Sequence, residues 1–572
     1  MQKLKSVSRA FLGLAGLLVV ACGQPVGDEA SDPARADLIF SNAAVHTMNP
    51  GQPRADAVAI RDGRILAVGS TEAITAAFSG PVRDLEGRML LPAFHDAHAH
   101  PISGGLQLLG CSLSGIRGEL ELLAAIRRCA LADPDGDWLI GSGWELSVFP
   151  PDGNPDKRLL DDIDEDRPVL MRAADGHSSW ANSAALARAG ISADTPDPRN
   201  GIIERDADGE PSGTLREAAQ ALVEAVVPPL TQAQRLAAAR AALRHANELG
   251  VTAFVDASVG PEELAVWEAL EATDELTARI VASIRVRGMS DDVSDALADP
   301  ATRGTTALVR TDAAKLFLDG VLEGETAALL EPYLGGGTAS GTLNVPWEDL
   351  VATVIDLDAR GIQIHMHAIG DAAVREGLDA IEAARAANGP NDNRHHICHL
   401  QLVHPDDYPR FAALGVRANF QALWAYPDPY ITDVNLPAVG QARVDRMYPI
   451  ASIERAGGII VGGSDWPVSS LDPLQAIETA VTRRDPDGVI AGALNTDESV
   501  SLDTMLAAYT RTAAELMHQE QESGTIEPGK AADLVVLDRD LHEIPADEIG
   551  DVKVLTTLFR GEVVYTADSG TP

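Results

Sequence analysis

Six side chains of this sequence are of types that hold divalent cations, and each falls near the end of an apolar run. His98 and His100 stand two apart in LLPAFHDAHAH, so in an extended strand both rings project to one side and can grip one ion. The alternative is a pair of satisfied polar residues capping a barrel mouth. His365 and His367 share a face in IQIHMHAIG; His367, nearer the end of its run, is the candidate ligand and His365 a supporting or core residue. His399 closes the run containing RHHICH, whose His395 and His396 read as structural. Lys315 sits inside AAKLFLDG, where a buried ammonium without a partner is costly. It either pairs with an acid such as Asp319 or loses its proton and takes up carbon dioxide, giving a carbamate that bridges two cations. Asp465, in GGSDWP, adds a carboxylate able to orient a water, take its proton and pass that proton to a leaving group. A metal would lower the pKa of that water and polarise a carbonyl. The chemistry expected is hydrolytic attack on an amide, imide or similar carbonyl.

Such residues work together only if the fold brings their strands side by side. Eight apolar strand-like runs cover residues 89–98, 251–258, 278–286, 313–320, 362–370, 394–402, 416–423 and 458–466. Between them lie helical patterns, with Leu350, Val354 and Leu357, and Val374, Leu378 and Ile381, at i, i+4, i+7. Eight such units predict a closed parallel (β/α)8 TIM-like barrel, in the α/β class, with the six residues at its C-terminal face. About 150 residues separate the first two runs, more than one crossover needs, so an inserted subdomain is expected at about 105–240. Strand-turn-strand patterns at both chain ends, 37–88 and 525–567, predict a small composite β domain around a barrel spanning 89–524.

Residues 1–36 stand apart. Lys3, Lys5 and Arg9 precede an apolar run from Ala10 to Ala21 that has signal-peptide length and is too short to span a bilayer. The run ends in Val19-Val20-Ala21-Cys22, which resembles a bacterial lipobox, with Cys22 as the lipidation site and residues 22–36 as a tether. The expected location is the cell envelope, in the bacterial periplasm or at the outer membrane, with plain secretion as the alternative. Cys111 and Cys129 flank a short helical stretch and can close a disulfide in that oxidising compartment; Cys398 reads as a buried thiol. The net charge of −40, from 85 acidic against 45 basic residues, repels phosphate backbones and anionic lipid heads. Nucleic acid is therefore excluded as a partner, and a membrane is expected to be reached only through the lipid anchor. The expected partner is a small-molecule substrate, and the sequence is compatible with a homo-oligomer.

The segments LLPAFHDAHAH, DGHSSWANSAAL, GIIERDADGEPSGTLREAA, KLFLDG, IHMHAIGD, HLQLVHPDD, GGSDWPVSSLDPL and GTIEPGKAADLVVLD resemble the amidohydrolase superfamily. Within it they are similar to the branch of N-substituted formamide deformylase, over nearly the whole chain from Asp37 to Tyr565. The resemblance implies a metal-dependent hydrolase acting on non-peptide C–N bonds. It implies one or two divalent ions, most simply Zn2+, held by His98, His100, Lys315, His367, His399 and Asp465, with Asp465 as the proton-transfer residue. It also places the segment of His177 and Trp180 over the metal pocket. Glu217 reads as a pocket acid or a helix-surface residue, and Trp424 and Trp466 as pocket-lining or packing residues. The Gly-rich stretch from Glu323 to Asn344 is a candidate lid. One departure is Ala93-Phe94-His95, where the family has a Gly-hydrophobic pair; His95 has no assigned role. Ester, lactone or phosphotriester hydrolysis on the same site is the alternative activity, and an inactive lipid-anchored binding protein the alternative class.

Overall fold

The structure is a computed structural model that describes residues 34–150, 153–286, 306–334 and 339–567; the expected signal segment and Cys22 lie outside the described residues. Its central element is an eight-stranded sheet whose strands neighbour one another in chain order, all parallel. The barrel strands are β1 (Phe94–Ala99), β2 (Val251–Val259), β3 (Arg279–Arg285), β4 (Val309–Phe317), β5 (Gln363–Ala368), β6 (His396–His399), β7 (Arg417–Phe420) and β8 (Ile459–Gly462). The chain beyond β8 returns to β1: Asp465 N–H donates to the His98 carbonyl at 2.7 Å, and His100 N–H to the Trp466 carbonyl at 2.7 Å. The sheet is thereby drawn into a near-closed (β/α)8 barrel.

Alternation along the strands builds two cores. Small residues face inward at the floor, where Ala97, Ala253, Val255, Val281, Ala313 and Val461 meet Leu516 and Met517. Outward residues such as Phe254, Ile280, Leu316, Ile364 and Met366 pack under the helices. The helix Trp347–Ala359 buries Leu350, Val354 and Leu357, and Asp371–Asn388 buries Val374, Leu378 and Ile381, which is the apolar stripe their spacing predicts.

The first run does not form one strand. Ala93 N–H donates to the Asp533 carbonyl, but Phe94 N–H donates to that of Gly250, so the chain changes sheets within one residue. Met89–Pro92 pairs with Leu534–Leu537 and with Ala44–His46, placing it in the β domain, and β1 begins at Phe94. An unbroken apolar run carries no mark of such a switch. Strands from both chain ends share the resulting six-stranded sheet, and Val45, Leu90, Leu534, Val536 and Leu558 form part of one core. Ala34–Arg35 pairs with Phe78–Ser79, and Ala36 is fully buried, so the end of the expected tether is folded.

The insertion is narrower than 105–240. Its six-stranded sheet runs from Cys111–Ser112 to Pro211–Glu217, and its last helix is Gln220–Glu224. The flanking helices Pro101–Leu109 and Gln232–Glu248 place Ile102, Ala238 and Ala242 in the barrel's own core. Cys111 and Cys129 are joined, with S–S at 2.11 Å, tying the edge strand to the helix Glu119–Ala132. Cys398 is buried and free.

Candidate metal centre and active site

The strand ends deliver a knot of imidazoles around one carboxylate. Asp465 Oδ1 lies 3.1 Å from Nε2 of His98 and 3.1 Å from Nε2 of His100, and its Oδ2 lies 3.9 Å from Nδ1 of His399. The His367 ring centroid is 4.5 Å from that of His399. Asp465 Oδ1 and His399 Nδ1 are buried without an aligned hydrogen bond. Buried polar atoms are normally paired, so nitrogens and a carboxylate converging in this way fit a cation between them. Ligand atoms of His98, His399 and Asp465 all lie within 4.8 Å of one another.

The second nitrogen of the rings shows how they are oriented. His98 Nδ1 is 2.8 Å from His365 Nε2, leaving Nε2 to face Asp465. His367 Nε2 donates to the Gly320 carbonyl at 3.0 Å, leaving the lone pair on Nδ1. Fixing the tautomer from behind is the usual work of residues around a metal centre. Burial, reinforced by the Lys315 charge, lowers His98 to about 3, and burial likewise takes His367 and His399 well below the ordinary histidine value. All three present lone pairs at neutral pH. Burial works against the Asp465 charge, but the surrounding His98, His100 and His399 rings outweigh it and hold the carboxyl well below its usual range.

Backbone strain accompanies the site. His399 and Asp465 sit at φ 78° and 57°, in the left-handed region that non-glycine residues seldom occupy. Gly463 permits the approach of the β8 loop, because a Cβ there would lie 2.7 Å from the His98 backbone nitrogen. Asp96, which the sequence reading passed over, braces the same junction. Its carboxylate accepts from the N–H of His98 at 2.9 Å and from that of Ser464 at 3.1 Å, and burial raises it to about 7. Its position two residues before His98 was the available signal.

Lys315 lies one layer deeper. Its Nζ is 3.5 Å from Cys398 Sγ and 4.9 Å from the centre of the Phe317 ring, and it makes no ion pair among the described residues. Burial pushes the ammonium down from its ordinary value. Asp319 is not its partner: that carboxylate accepts from the N–H groups of Ala328, Ile369 and Gly370 at 2.9–3.0 Å, shaping the loops behind His367.

The insertion supplies the roof. Glu217 ends the strand Pro211–Glu217, rather than lying on a helix, at φ 51°. Its Oε2 is 2.9 Å from His177 Nδ1, and its Oε1 accepts from the Thr326 hydroxyl at 2.7 Å. Burial opposes the His177 charge, but Glu217, Asp175 and Asp465 overcome it and raise this group to about 9. The His177 ring centroid stands 5.3 Å from that of His367. Trp424 stacks on His399, with centroids 5.4 Å apart and planes 3° from parallel.

Other expectations change. Trp180 does not reach the pocket; it is fully buried between Trp144 and Phe149 in the insertion's core, with Nε1 donating to the Asp156 carbonyl. His177, in the bend just before the strand Ser178–Ala181, is the residue of this motif that faces the site, beside His367. Trp466 packs over Gly104 and 5.5 Å from His245, between the two flanking helices. His95 is structural, with Nδ1 donating to the Ala93 carbonyl and Nε2 bonded to the Ser523 hydroxyl. The candidate lid is anchored over its described part, where Ala327, Ala328, Leu329 and Tyr333 are buried in the barrel core; residues 335–338 lie outside the described residues. Beside the centre, between insertion and barrel, is a cavity of about 480 Å³ whose lining includes Arg199, Glu217, Arg285, Phe317 and Asn344.

The sequence profile of the Amidohydrolase family matches residues 81–565, and that of an imidazolonepropionase-like composite domain of bacteria matches residues 57–78. The chain is 30% identical over 540 residues to the putative amidohydrolase YtcJ of Bacillus subtilis, covering 92% of this chain and 99% of that one. It is 29% identical to N-substituted formamide deformylase of Arthrobacter pascens, covering 92% and 98%. Among solved structures, an uncharacterized metal-dependent hydrolase from Pyrococcus furiosus superposes with TM-score 0.66 at 25% identity, over 88% of this chain and 99% of that one. With a barrel mouth built as described and a match across most of its length, this chain belongs to the amidohydrolase family and is a metal-dependent hydrolase.

Proposed function

We propose that the protein hydrolyses a non-peptide carbon–nitrogen bond of a small molecule, using one or two Zn2+ ions held by His98, His100, Lys315, His367, His399 and Asp465. The observation that carries this reading is the convergence of His98 Nε2, His100 Nε2 and His399 Nδ1 on the Asp465 carboxylate. The similarity to a formamide deformylase supports the amide-type bond. A bound ion supplies Lewis acidity toward a carbonyl oxygen and acidifies a water. Asp465 accepts the proton of that water and returns it to the leaving nitrogen. His177, anchored to Glu217 through Nδ1, keeps its other N–H for a substrate oxygen. Trp424, stacked on His399, walls one side of the pocket. Lys315, buried without an ion-pair partner among the described residues, is the amine that carbon dioxide would carboxylate to complete a two-metal site.

The test is a panel of N-substituted formamides, other amides, esters, lactones and phosphotriesters, run on enzyme stripped with chelator and then restored with Zn2+. Amide-type turnover that returns with the metal is expected. Full activity in metal-free protein refutes the metal assignment, and faster turnover of esters or phosphotriesters refutes the bond assignment. The protein is further proposed to act at the cell envelope, anchored through Cys22. Equal release of wild type and Cys22→Ala on fractionation refutes that anchor.

A further inference from the structure

A second group of metal-binding side chains lies away from the barrel mouth, where the two chain ends meet the barrel. His46 ends the strand Ala44–His46, and Asp540 and His542 follow the strand Leu534–Leu537, all in the β domain. Asp503 lies in the first turn of the barrel helix Leu502–Ala508. The His46 side chain is 4% exposed, that of Asp540 15% and that of His542 24%. His46 Nε2 lies 3.0 Å from Asp540 Oδ2, His542 Nδ1 lies 3.4 Å from Asp540 Oδ1, and the two rings stack at 4.5 Å.

The hydrogen bonds leave the contact between His542 Nδ1 and Asp540 Oδ1 without a proton or cation to join it. His542 Nε2 is 2.9 Å from Asp503 Oδ1, and an ionised carboxylate can only accept, so Nε2 carries the proton. In the neutral ring the lone pair is then on Nδ1, which is buried and has no hydrogen-bond partner. Asp540 cannot turn away, because its Oδ1 also accepts from the His542 N–H at 3.0 Å. A lone pair facing a carboxylate oxygen is repulsive unless a cation lies between them. Ligands about 2.1 Å from a tetrahedral ion stand about 3.4 Å apart, close to the spacings seen here. The ligand atoms of His46, Asp540 and His542 all fall within 4.8 Å of one another.

We propose that His46, Asp540 and His542 form a second divalent-cation site, with Asp503 as the outer carboxylate that fixes the His542 tautomer. Two imidazoles and a carboxylate suit a borderline ion such as Zn2+. Because Asp503 belongs to the barrel and the ligands to the β domain, the ion clamps one to the other. Arg54 opposes it: this exposed residue on the neighbouring strand rests its guanidinium against both ring nitrogens of His46, Nε2 included, and has to swing aside when the ion binds.

The test is Zn2+ uptake by the whole chain with its catalytic centre already loaded, read by equilibrium dialysis and elemental analysis. Wild type is expected to take up one more Zn2+ per chain than His542→Ala, with turnover equal in both. His98→Ala/His100→Ala is expected to keep the increment that His542→Ala loses. Asp503→Asn is expected to bind this ion about 10- to 100-fold more weakly, and Arg54→Ala more tightly. His542 is partly exposed, so its truncation tests the site without a large core change; should His542→Ala misfold, Asp503→Asn and Arg54→Ala carry the comparison. Equal Zn2+ content in wild type and His542→Ala, or unchanged affinity in Asp503→Asn and Arg54→Ala, overturns the proposal.

Discussion

Replacing Asp465 with Asn keeps the volume of the side chain and removes its charge and its capacity to accept a proton. The backbone tolerates the change: residue 465 sits at φ 57°, a region Asn visits readily, and its N–H bond to the His98 carbonyl at 2.7 Å does not involve the side chain. His98 keeps its contact with His365 and His399 its stack on Trp424, so the ligand cage survives with one weaker donor. What is lost is the proposed base. Positioned acid–base catalysis contributes about 10²–10⁴ in rate, or about 2.7–5.4 kcal/mol of barrel-mouth transition-state stabilisation. The expected result is a kcat at least about 10² below wild type, with the thermal transition within a few degrees and most of the metal retained. Steady-state kinetics on the best substrate of the panel, paired with elemental analysis and a melting curve on the same preparation, measure all three. A metal-replete Asp465→Asn enzyme within a factor of a few of wild-type kcat refutes the assignment.

Lys315→Arg should lose activity, because a guanidinium can neither shed its charge nor be carboxylated in this buried layer; normal turnover would show that Lys315 is only a packing residue. Lys315→Ala should lose metal and regain some activity with added short carboxylic acids, followed in the same assay. His365→Phe removes the partner of His98 Nδ1, 2.8 Å away, and should weaken metal binding about 10- to 100-fold in a chelator competition while the barrel stays folded. The Cys111–Cys129 bridge closes a loop of 18 residues, so Cys111→Ser/Cys129→Ser should destabilise the insertion by about 3 kcal/mol, read as an earlier denaturant transition.

Much of this architecture is legible in the chain itself. The eight apolar runs each contribute a barrel strand, because burial on both faces demands continuous apolar sequence whatever the neighbours are. The ligand types at their ends are visible for the same reason: a histidine or lysine in such a run is costly unless something pays for it. His98, His100, His399 and Asp465 are the residues that the fold draws tightest. What sequence spacing could not decide is everything set by contacts between distant segments. Met89–Pro92 looks like part of β1 until hydrogen bonding to Leu534–Leu537 claims it. Trp180 sits three residues from His177 in one motif, yet packing sends one ring into a core and the other toward His367. His365, read only as a supporting residue, acquires a definite role because β1 and β5 face each other across the barrel interior and bring it to His98. His46 and His542 are nearly a chain length apart, and they stack only because the two ends fold into one sheet. Composition and periodicity determine which segments must be buried and what chemistry they carry. Which of those groups touch depends on strand register, sheet switching and closure, and these are properties of the assembled chain.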